Sequence, residues 1–289
     1  MNPRHRLPEA IHYLLRSFIL ASFALFIVYL ARTDNLDLYI ASRMQWLVKC
    51  TALGMYVVAA HQLYLTIRAL PGNQAHAHAH THAHDCCDDH THERPTSWQS
   101  GLLLYGWFVL PLALALLIPN GMLGSAMAAA KGVQFSTGQL VMPESPSAPF
   151  LRSFSKFGQE LSRHHPIRIE DDRFIETLTA LDLYKNAFIG KTVQIQGFVY
   201  REMGMNNHQF SVTRFAMSCC SADAYPYGIL VNDDKAHSLE ENQWVTVVGK
   251  LSLASYNGNE VIQIISSDIR SIPPPDNPYV SPDLSFELE

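Results

Sequence analysis

The side chains best suited to hold a metal ion are concentrated between residues 76 and 93. Seven of the fourteen histidines lie in this stretch, together with two adjacent cysteines and four carboxylates. Neutral imidazole and thiolate are preferred ligands of Zn²⁺ and related late transition metals. An unperturbed imidazole has a pKa of about 6.5, so most of these histidines are expected to be unprotonated at neutral pH. The candidate ligands are His76, His78, His80, His82, His84, Asp85, Cys86, Cys87, Asp88, Asp89, His90 and His92.

These ligands are in surplus and have no fixed spacing. The pattern predicts a histidine-rich loop over residues 72–98 that exchanges metal, rather than a rigid structural zinc site. Zn²⁺ is the expected ion, although Ni²⁺, Cu²⁺ and Co²⁺ would also bind such a sequence in vitro, because affinity alone does not select among them. The alternative is a solvated low-complexity connector whose histidines bind nothing selectively.

A second pair of adjacent cysteines, Cys219 and Cys220, is followed closely by Asp223. Neighbouring side chains on a regular strand point to opposite faces, so both sulfurs could reach one ion only at a bulge or a strand end. Three interpretations stay open: a metal or ligand site formed by these three residues, a redox-active pair, and buried structural cysteines. A disulfide between neighbours closes a strained ring, which favours the metal site over the redox pair.

Three apolar segments are long enough to cross a bilayer, in which ~20 helical residues cover a hydrocarbon core of ~30 Å. They run from about 14 to 31, from 46 to 67 and from 101 to 118, within a membrane region over residues 1–120. The first is too long for a cleaved signal peptide and lacks the small-residue cleavage pattern. A weak excess of Lys and Arg favours a cytoplasmic N-terminus, which places the histidine-rich loop in the cytoplasm and the C-terminal part outside.

The residues after the third segment divide into a lead-in and a short helix. Residues 121–170 show no sustained periodicity and include a proline-rich stretch, so they are interpreted as an irregular linker. The helical spacing of Phe174, Leu178 and Leu181 predicts a short amphipathic helix that ends near Tyr184.

Beyond this helix the hydrophobic period changes to two, which predicts β-strands. Asn257-Gly258 is a strong hairpin-turn signal, and Gly197 and Gly249 inside two of the strands suit bulges or barrel corners. We predict an all-β domain over residues 171–275 that forms an OB-like barrel, with a β-sandwich as the alternative. The tail then covers residues 276–289. The predicted strands are 192–200, 209–215, 227–231, 244–253 and 261–265.

Charge and motif content argue against two classes of function. The chain has a formal net charge of −5, and residues 131–289 hold thirteen Lys or Arg against nineteen Asp or Glu. A nucleic-acid-binding domain would carry a basic excess, so no nucleic-acid partner is expected. The sequence contains no Gly-x-Ser-x-Gly, no P-loop and no His-Glu-x-x-His, so we expect a protein that is not an enzyme.

Several blocks of the chain occur together in one known family. They include the three apolar segments, the histidine-rich loop between the second and third, and Ala130-Lys131-Gly132 after the third. The most specific block is Cys-Cys-x-Ala-Asp-Ala at residues 219–224, accompanied by Gly197-Phe198-Val199-Tyr200 and Trp244-Val245. With these blocks the chain resembles, over nearly its whole length, the YcgQ-like permease subunits of bacteria.

The resemblance implies a multi-pass protein of the bacterial cell membrane that partners a separate multi-span permease. Together with the candidate ligands, it predicts a non-enzymatic accessory subunit linked to the transport or homeostasis of a transition-metal ion such as Zn²⁺. Two alternatives remain. One is an extracytoplasmic thiol redox protein or sensor that uses Cys219 and Cys220, and the other is a membrane-anchored scaffold that binds only protein.

Overall fold

The computed structural model describes residues 6–69, 98–135 and 148–286, which fall into two compact units. The helical unit contains residues up to Leu36 and then Met44–Asn120. The β unit contains Asp37–Arg43 and the chain from Gly121 onward. The predicted metal ligands from His76 to His92 lie outside the described residues.

The helical unit consists of α1 (Arg6–Arg32), α2 (Gln45–Ala69) and α3 (Trp98–Leu117). Helices α1 and α2 pack along each other, and the Ser17 hydroxyl of α1 donates a 2.8 Å hydrogen bond to the Ala59 carbonyl of α2. Small buried residues such as Ala24 and Ala59 are typical of close helix packing within membranes.

Two of the three predicted spans are candidate membrane spans by length and composition. They are Ile11–Arg32, with 22 residues, and Ser42–Arg68, with 27 residues. The third predicted span is helical, but its described apolar part, Leu103–Leu117, is shorter than the other two segments and falls short of the length of a candidate membrane span. Large apolar side chains are exposed on all three helices, as in Trp107 of α3, which is 77% exposed. The helical unit therefore presents apolar surface of the kind that faces lipid or another protein.

The β unit combines four helices with seven strands in its described part. The helices are α4 (Ser125–Lys131), α5 (Ala148–Leu161), α6 (Phe174–Leu183) and α7 (Lys185–Phe188). The strands are β1 (Ile167–Arg168), β2 (Thr192–Tyr200), β3 (Gln209–Ala216), β4 (Tyr225–Asn232), β5 (Trp244–Tyr256), β6 (Asn259–Ser271) and β7 (Tyr279–Val280). The helix predicted to end near Tyr184 and the five predicted strands are therefore present, several of them longer than expected.

These strands form one mixed sheet in the order β1-β2-β5-β6-β4-β3-β7. Most neighbouring strands are antiparallel, whereas β4–β6 and the two short edge pairs, β1–β2 and β3–β7, are parallel. Strand β2 also pairs with β3 through Phe198–Tyr200, so the pairings β2–β5–β6–β4–β3 return to β2. The core lies against the inner side chains of these strands and is covered by α5 and α6.

Two sequence signals have the predicted structural effect. Asn257 and Gly258 both adopt positive φ, 50° and 81°, as a type I′ turn requires, and they join β5 to β6. The pairing of β5 with β6 shifts register between Val248 and Gly249, which is the expected bulge. A Cβ atom at Gly249 would collide with the carbonyl oxygen of Ile265, so the close approach of the two strands requires glycine.

The structure differs from prediction on both sides of the predicted β domain. Residues 121–170, interpreted as an irregular linker, contain α4, α5 and β1. The apolar face of α5 (Phe154, Phe157 and Leu161) is buried at helical spacing, a signal that the surrounding prolines and polar residues obscured. The predicted tail contains β7, and Phe286 packs on Phe154 with a ring-centroid distance of 4.6 Å.

Candidate functional site

Cys219 and Cys220 lie in the turn between β3 and β4, defined here as the cysteine turn, residues 218–224. Strand β3 ends at Ala216, so the two cysteines are not on opposite faces of a regular strand. Their Sγ atoms are 3.6 Å apart, and both are free thiols, with Cys219 exposed and Cys220 partly buried. The two cysteines therefore lie beyond a strand end, which is a position from which adjacent cysteines could share one ion.

Asp223 organises the backbone of the cysteine turn. Its Oδ1 accepts from the N–H groups of Ser218 at 3.1 Å and Cys220 at 3.4 Å, and its Oδ2 accepts from the N–H of Cys219 at 2.7 Å. Partial burial acts to raise the pKa of Asp223, but the hydrogen bonds from the Cys219 thiol and from these N–H groups outweigh it and lower the pKa. The carboxylate thus serves the turn as an internal acceptor.

The two thiols have opposite acid–base environments. Hydrogen bonds to the Asp223 carboxylate and to the Cys220 sulfur raise the pKa of Cys219 to about 11. The pKa of Cys220 is lowered, first by the backbone hydrogen bond from Ala222 and then by the hydrogen bond from the Cys219 thiol. Cys220 is therefore the thiol that ionises first.

The segment between α1 and α2 pairs with the cysteine turn. Ile40 and Cys220 form an antiparallel bridge, in which the Ala41 N–H donates to the Cys219 carbonyl at 3.1 Å and the Ser221 N–H donates to the Tyr39 carbonyl at 2.8 Å. These bonds lie within the β unit, which includes Asp37–Arg43. The segment connects directly to α1 and α2, so the cysteine turn is bonded to residues close in sequence to both helices.

Two cationic side chains hold the carbonyl groups of the turn. Arg43 donates from Nε and Nη2 to the Ser218 carbonyl at 2.9 and 2.6 Å. Lys131 of α4 donates from Nζ to the carbonyl of Ala222 at 3.1 Å and also to that of Ala224. Sequence reasoning did not assign either cation to this turn, because no local pattern links them to it.

A buried carboxylate lies beside a cavity next to the cysteine turn. Oε1 of Glu176 accepts from the Asp283 N–H at 2.9 Å, while its buried Oε2 has no hydrogen-bond partner among the described residues. Burial raises the pKa of Glu176, against the backbone hydrogen bonds that lower it. The cavity has a volume of about 390 Å³ and is lined in part by Glu176, Ser218, Asp223, Tyr227 and Phe286.

The structure brings Cys219, Cys220 and Asp223 together in one turn. The Asp223 carboxylate, however, accepts hydrogen bonds from backbone N–H groups of that turn. Within the described ranges, no three His, Cys, Asp or Glu side chains are arranged to hold a metal ion.

Comparison with known proteins matches both halves of the chain to family models. Residues 15–134 match the DUF1980 N-terminal domain, and residues 147–282 match the DUF1980 C-terminal domain. The UPF0703 protein YcgQ of Bacillus subtilis is 28% identical over 92% of this chain and 98% of its own length. A Streptococcus mutans protein, provisionally named a two-component membrane permease complex subunit, is 25% identical over the same shares of the two chains.

A small single-stranded DNA-binding protein from Streptomyces coelicolor aligns with 29% of this chain and 94% of its own, at 15% identity and a TM-score of 0.19. That score carries no argument about fold or function. The matches to both domain models, together with the relatives that extend over nearly the full chain, identify this protein as a member of the DUF1980 family.

Proposed function

We propose that this protein is an accessory subunit of a membrane permease, anchored by its helices and docked to a separate multi-span partner. The observation that carries the proposal is the Streptococcus mutans relative, which is matched over 98% of its length and is named as such a subunit. The exposed apolar surface of α1, α2 and α3 supports it, because such surface needs lipid or a partner helix to cover it.

The connectivity of the β unit supports three membrane crossings. Residues Asp37–Arg43, between α1 and α2, belong to the β unit, and its main part begins at Gly121, after α3. If α2 crosses the bilayer, the chain returns to the same side only when α3 crosses as well. We therefore propose three spans, with the histidine-rich segment on the side opposite the β unit. The weak Lys and Arg bias favours an arrangement with that segment in the cytoplasm and the β unit outside.

The strand pairings support an OB-like barrel. The cycle β2–β5–β6–β4–β3–β2 has five strands, with β4 and β6 parallel and a bulge in β5, as expected for a small closed sheet. A β-sandwich would instead consist of two sheets packed face to face. We propose the barrel as the framework that presents the cysteine turn.

We further propose that the permease handles a transition-metal ion, with Zn²⁺ as the preferred candidate. The support is compositional: twelve candidate ligands, His76 to His92, are present in seventeen residues. The surplus of ligands suits rapid exchange, so the histidine-rich segment would buffer the ion or deliver it to the permease.

Purification from native membranes tests the permease role. Full-length protein with a C-terminal tag is expected to co-purify with one polytopic membrane protein at a fixed ratio. A variant that lacks residues 76–92 serves as the control and should retain this partner, because docking is assigned to the helices. Recovery of the tagged protein without any polytopic partner, after mild crosslinking in the membrane, would contradict the role.

Metal analysis tests the proposed ion separately. Untagged full-length protein purified in detergent should contain several equivalents of zinc, most of which disappear when residues 76–92 are deleted. Equal zinc content in the two proteins would contradict metal binding by the histidine-rich segment while leaving the permease role intact.

A further inference from the structure

We propose that Cys219 and Cys220 form a two-sulfur chelate for a single Zn²⁺ ion, with two coordination positions left open. This site is separate from the histidine-rich segment, and it does not require that segment to bind metal. It also assigns Asp223 a positioning role in place of a ligand role.

The separation of the sulfurs fits a tetrahedral zinc ion. Two thiolates bound to one tetrahedral Zn²⁺ at ~2.3 Å each lie ~3.8 Å from one another. The Sγ atoms of Cys219 and Cys220 are 3.6 Å apart. The ion could therefore be bound with little movement of either side chain.

The same geometry is less suited to a disulfide. The peptide bond between Cys219 and Cys220 is trans, since the one cis bond among the described residues is His165-Pro166. A trans peptide separates neighbouring Cα atoms by ~3.8 Å, whereas a relaxed disulfide joins Cα atoms ~4.4–6.8 Å apart. Binding of a shared metal ion avoids this mismatch in Cα separation, because the two sulfurs do not have to approach each other to the length of an S–S bond.

Asp223 fixes the backbone that carries both thiols. Its two carboxylate oxygens accept from Ser218, Cys219 and Cys220, as described above, so we assign Asp223 to the backbone and the ligand role to the two sulfurs. Carboxylates that orient a ligand in this way affect metal affinity by ~10–100-fold without touching the metal. The turn therefore supplies two of the four ligands of a tetrahedral zinc site, held on a backbone that Asp223 fixes.

Distant segments hold the turn in this shape before any ion arrives. Tyr39 and Ala41 pair with its backbone, and Arg43 and Lys131 bond its carbonyl groups from two different segments. The exposed position of Cys219 leaves the other two coordination positions accessible to water or to a donor from another protein. Such an open site takes up and releases zinc more readily than a closed four-ligand site.

Cobalt spectroscopy on the full-length protein tests the chelate. Cys86 and Cys87 are first replaced by serine, so that sulfur-to-Co²⁺ charge-transfer absorption reports only on the remaining cysteines. Adding Co²⁺ to saturation should produce this absorption with an amplitude that corresponds to one two-sulfur site per chain, and Zn²⁺ should displace it. Cys219→Ser and Cys220→Ser should each abolish it, and Cys50→Ser, as the matched control, should leave it unchanged.

Asp223→Asn distinguishes positioning from ligation. It is expected to weaken Co²⁺ binding by about tenfold while the sulfur-to-cobalt absorption at saturation is retained. A spectrum whose position shifts as one oxygen ligand is lost would overturn the positioning role.

Protection of the cysteines in the wild-type chain is a second test, and it does not require any variant to fold. Zn²⁺ should protect Cys219 and Cys220 of the wild-type chain from iodoacetamide, as read by peptide mass spectrometry, and a chelator should reverse the protection. Absence of protection at both cysteines, or charge-transfer absorption that survives in Cys219→Ser, would overturn the chelate.

Discussion

The chain contains two pairs of adjacent cysteines, and they differ in what surrounds them. Cys86 and Cys87 stand among ten further candidate ligands, nearly all within a low-complexity sequence. Cys219 and Cys220 have few candidate ligands near them in sequence, but bonds from residues as distant as Arg43 hold their turn. Composition alone thus suggests the proposed metal-binding segment, whereas the proposed two-sulfur site depends on a backbone that the rest of the fold positions.

The largest expected effect separates the two cysteine pairs by metal content. Deleting residues 76–92 should remove most of the bound zinc, whereas Cys219→Ser with Cys220→Ser should remove about one equivalent. Elemental analysis of the full-length protein in detergent measures both. The comparison fails if the double substitution also removes most of the zinc, because the two regions would then act as one site.

Thiol reactivity should distinguish the two members of the cysteine turn. In chelator-treated protein at pH 8, Cys220 should react with iodoacetamide at least about tenfold faster than Cys219, because its pKa is lowered while that of Cys219 is raised to about 11. Asp223→Asn removes the main cause of the raised pKa, so Cys219 should react faster in that variant. Equal rates for both cysteines at pH 8 would contradict the assigned hydrogen bonds.

Strand β3, which leads into the cysteine turn, depends on a buried cation. Arg214 is fully buried, donates to Asp171 at 2.8 and 3.1 Å, and stacks over Trp244 at 5.0 Å. Removing one partner of a buried pair costs ~3–5 kcal/mol, but Asp171 is half exposed, so Asp171→Ala should cost about 2 kcal/mol of unfolding free energy. Denaturant unfolding measures this, with Asp172→Ala as the neighbouring control, which should change stability by less than about 0.5 kcal/mol.

Arg43 is expected to stabilise the pairing of its segment with the cysteine turn. Its two charge-assisted hydrogen bonds to the Ser218 carbonyl are exposed, so Arg43→Ala should cost about 1 kcal/mol. Amide hydrogen exchange at Ala41 and Ser221 should accelerate about fivefold, as that energy predicts. Lys49→Ala is the control, and unchanged exchange in Arg43→Ala would show that the backbone bridge alone holds the segment.

The smallest effect is a pH dependence from Glu176. Burial raises its folded-state pKa above the unfolded value, so the folded protein binds this proton more tightly. Its contribution to stability is present at low pH and is lost as the pH rises through the folded pKa. Glu176→Gln should remove this part of the pH dependence, so the unfolding free energy of the wild type minus that of the variant should fall as the pH rises from 4 to 8. A difference curve with no slope would mean that the carboxyl is already hydrated.

Periodicity determined much of the β unit in advance. The alternation of Thr192–Tyr200 and of Trp244–Leu253 and the Asn257-Gly258 turn depend on neighbouring residues, so the sequence alone predicted them. The amphipathic α5 was missed because proline and polar residues around it resemble a linker, although Phe154, Phe157 and Leu161 carry the helical spacing.

By itself the sequence determined the family, the apolar helices, the strand pattern and the supply of candidate metal ligands, since each is a property of composition or of residues close together in the chain. Only the tertiary structure decided that Arg43 and Lys131 meet the cysteine turn and that Asp223 is engaged by backbone N–H groups. Arg43 and Ser218 are separated by 175 positions, and a contact across that distance depends on how the whole sheet packs. Local pattern carries no information about such contacts, which is why the two-sulfur geometry emerged only from the fold.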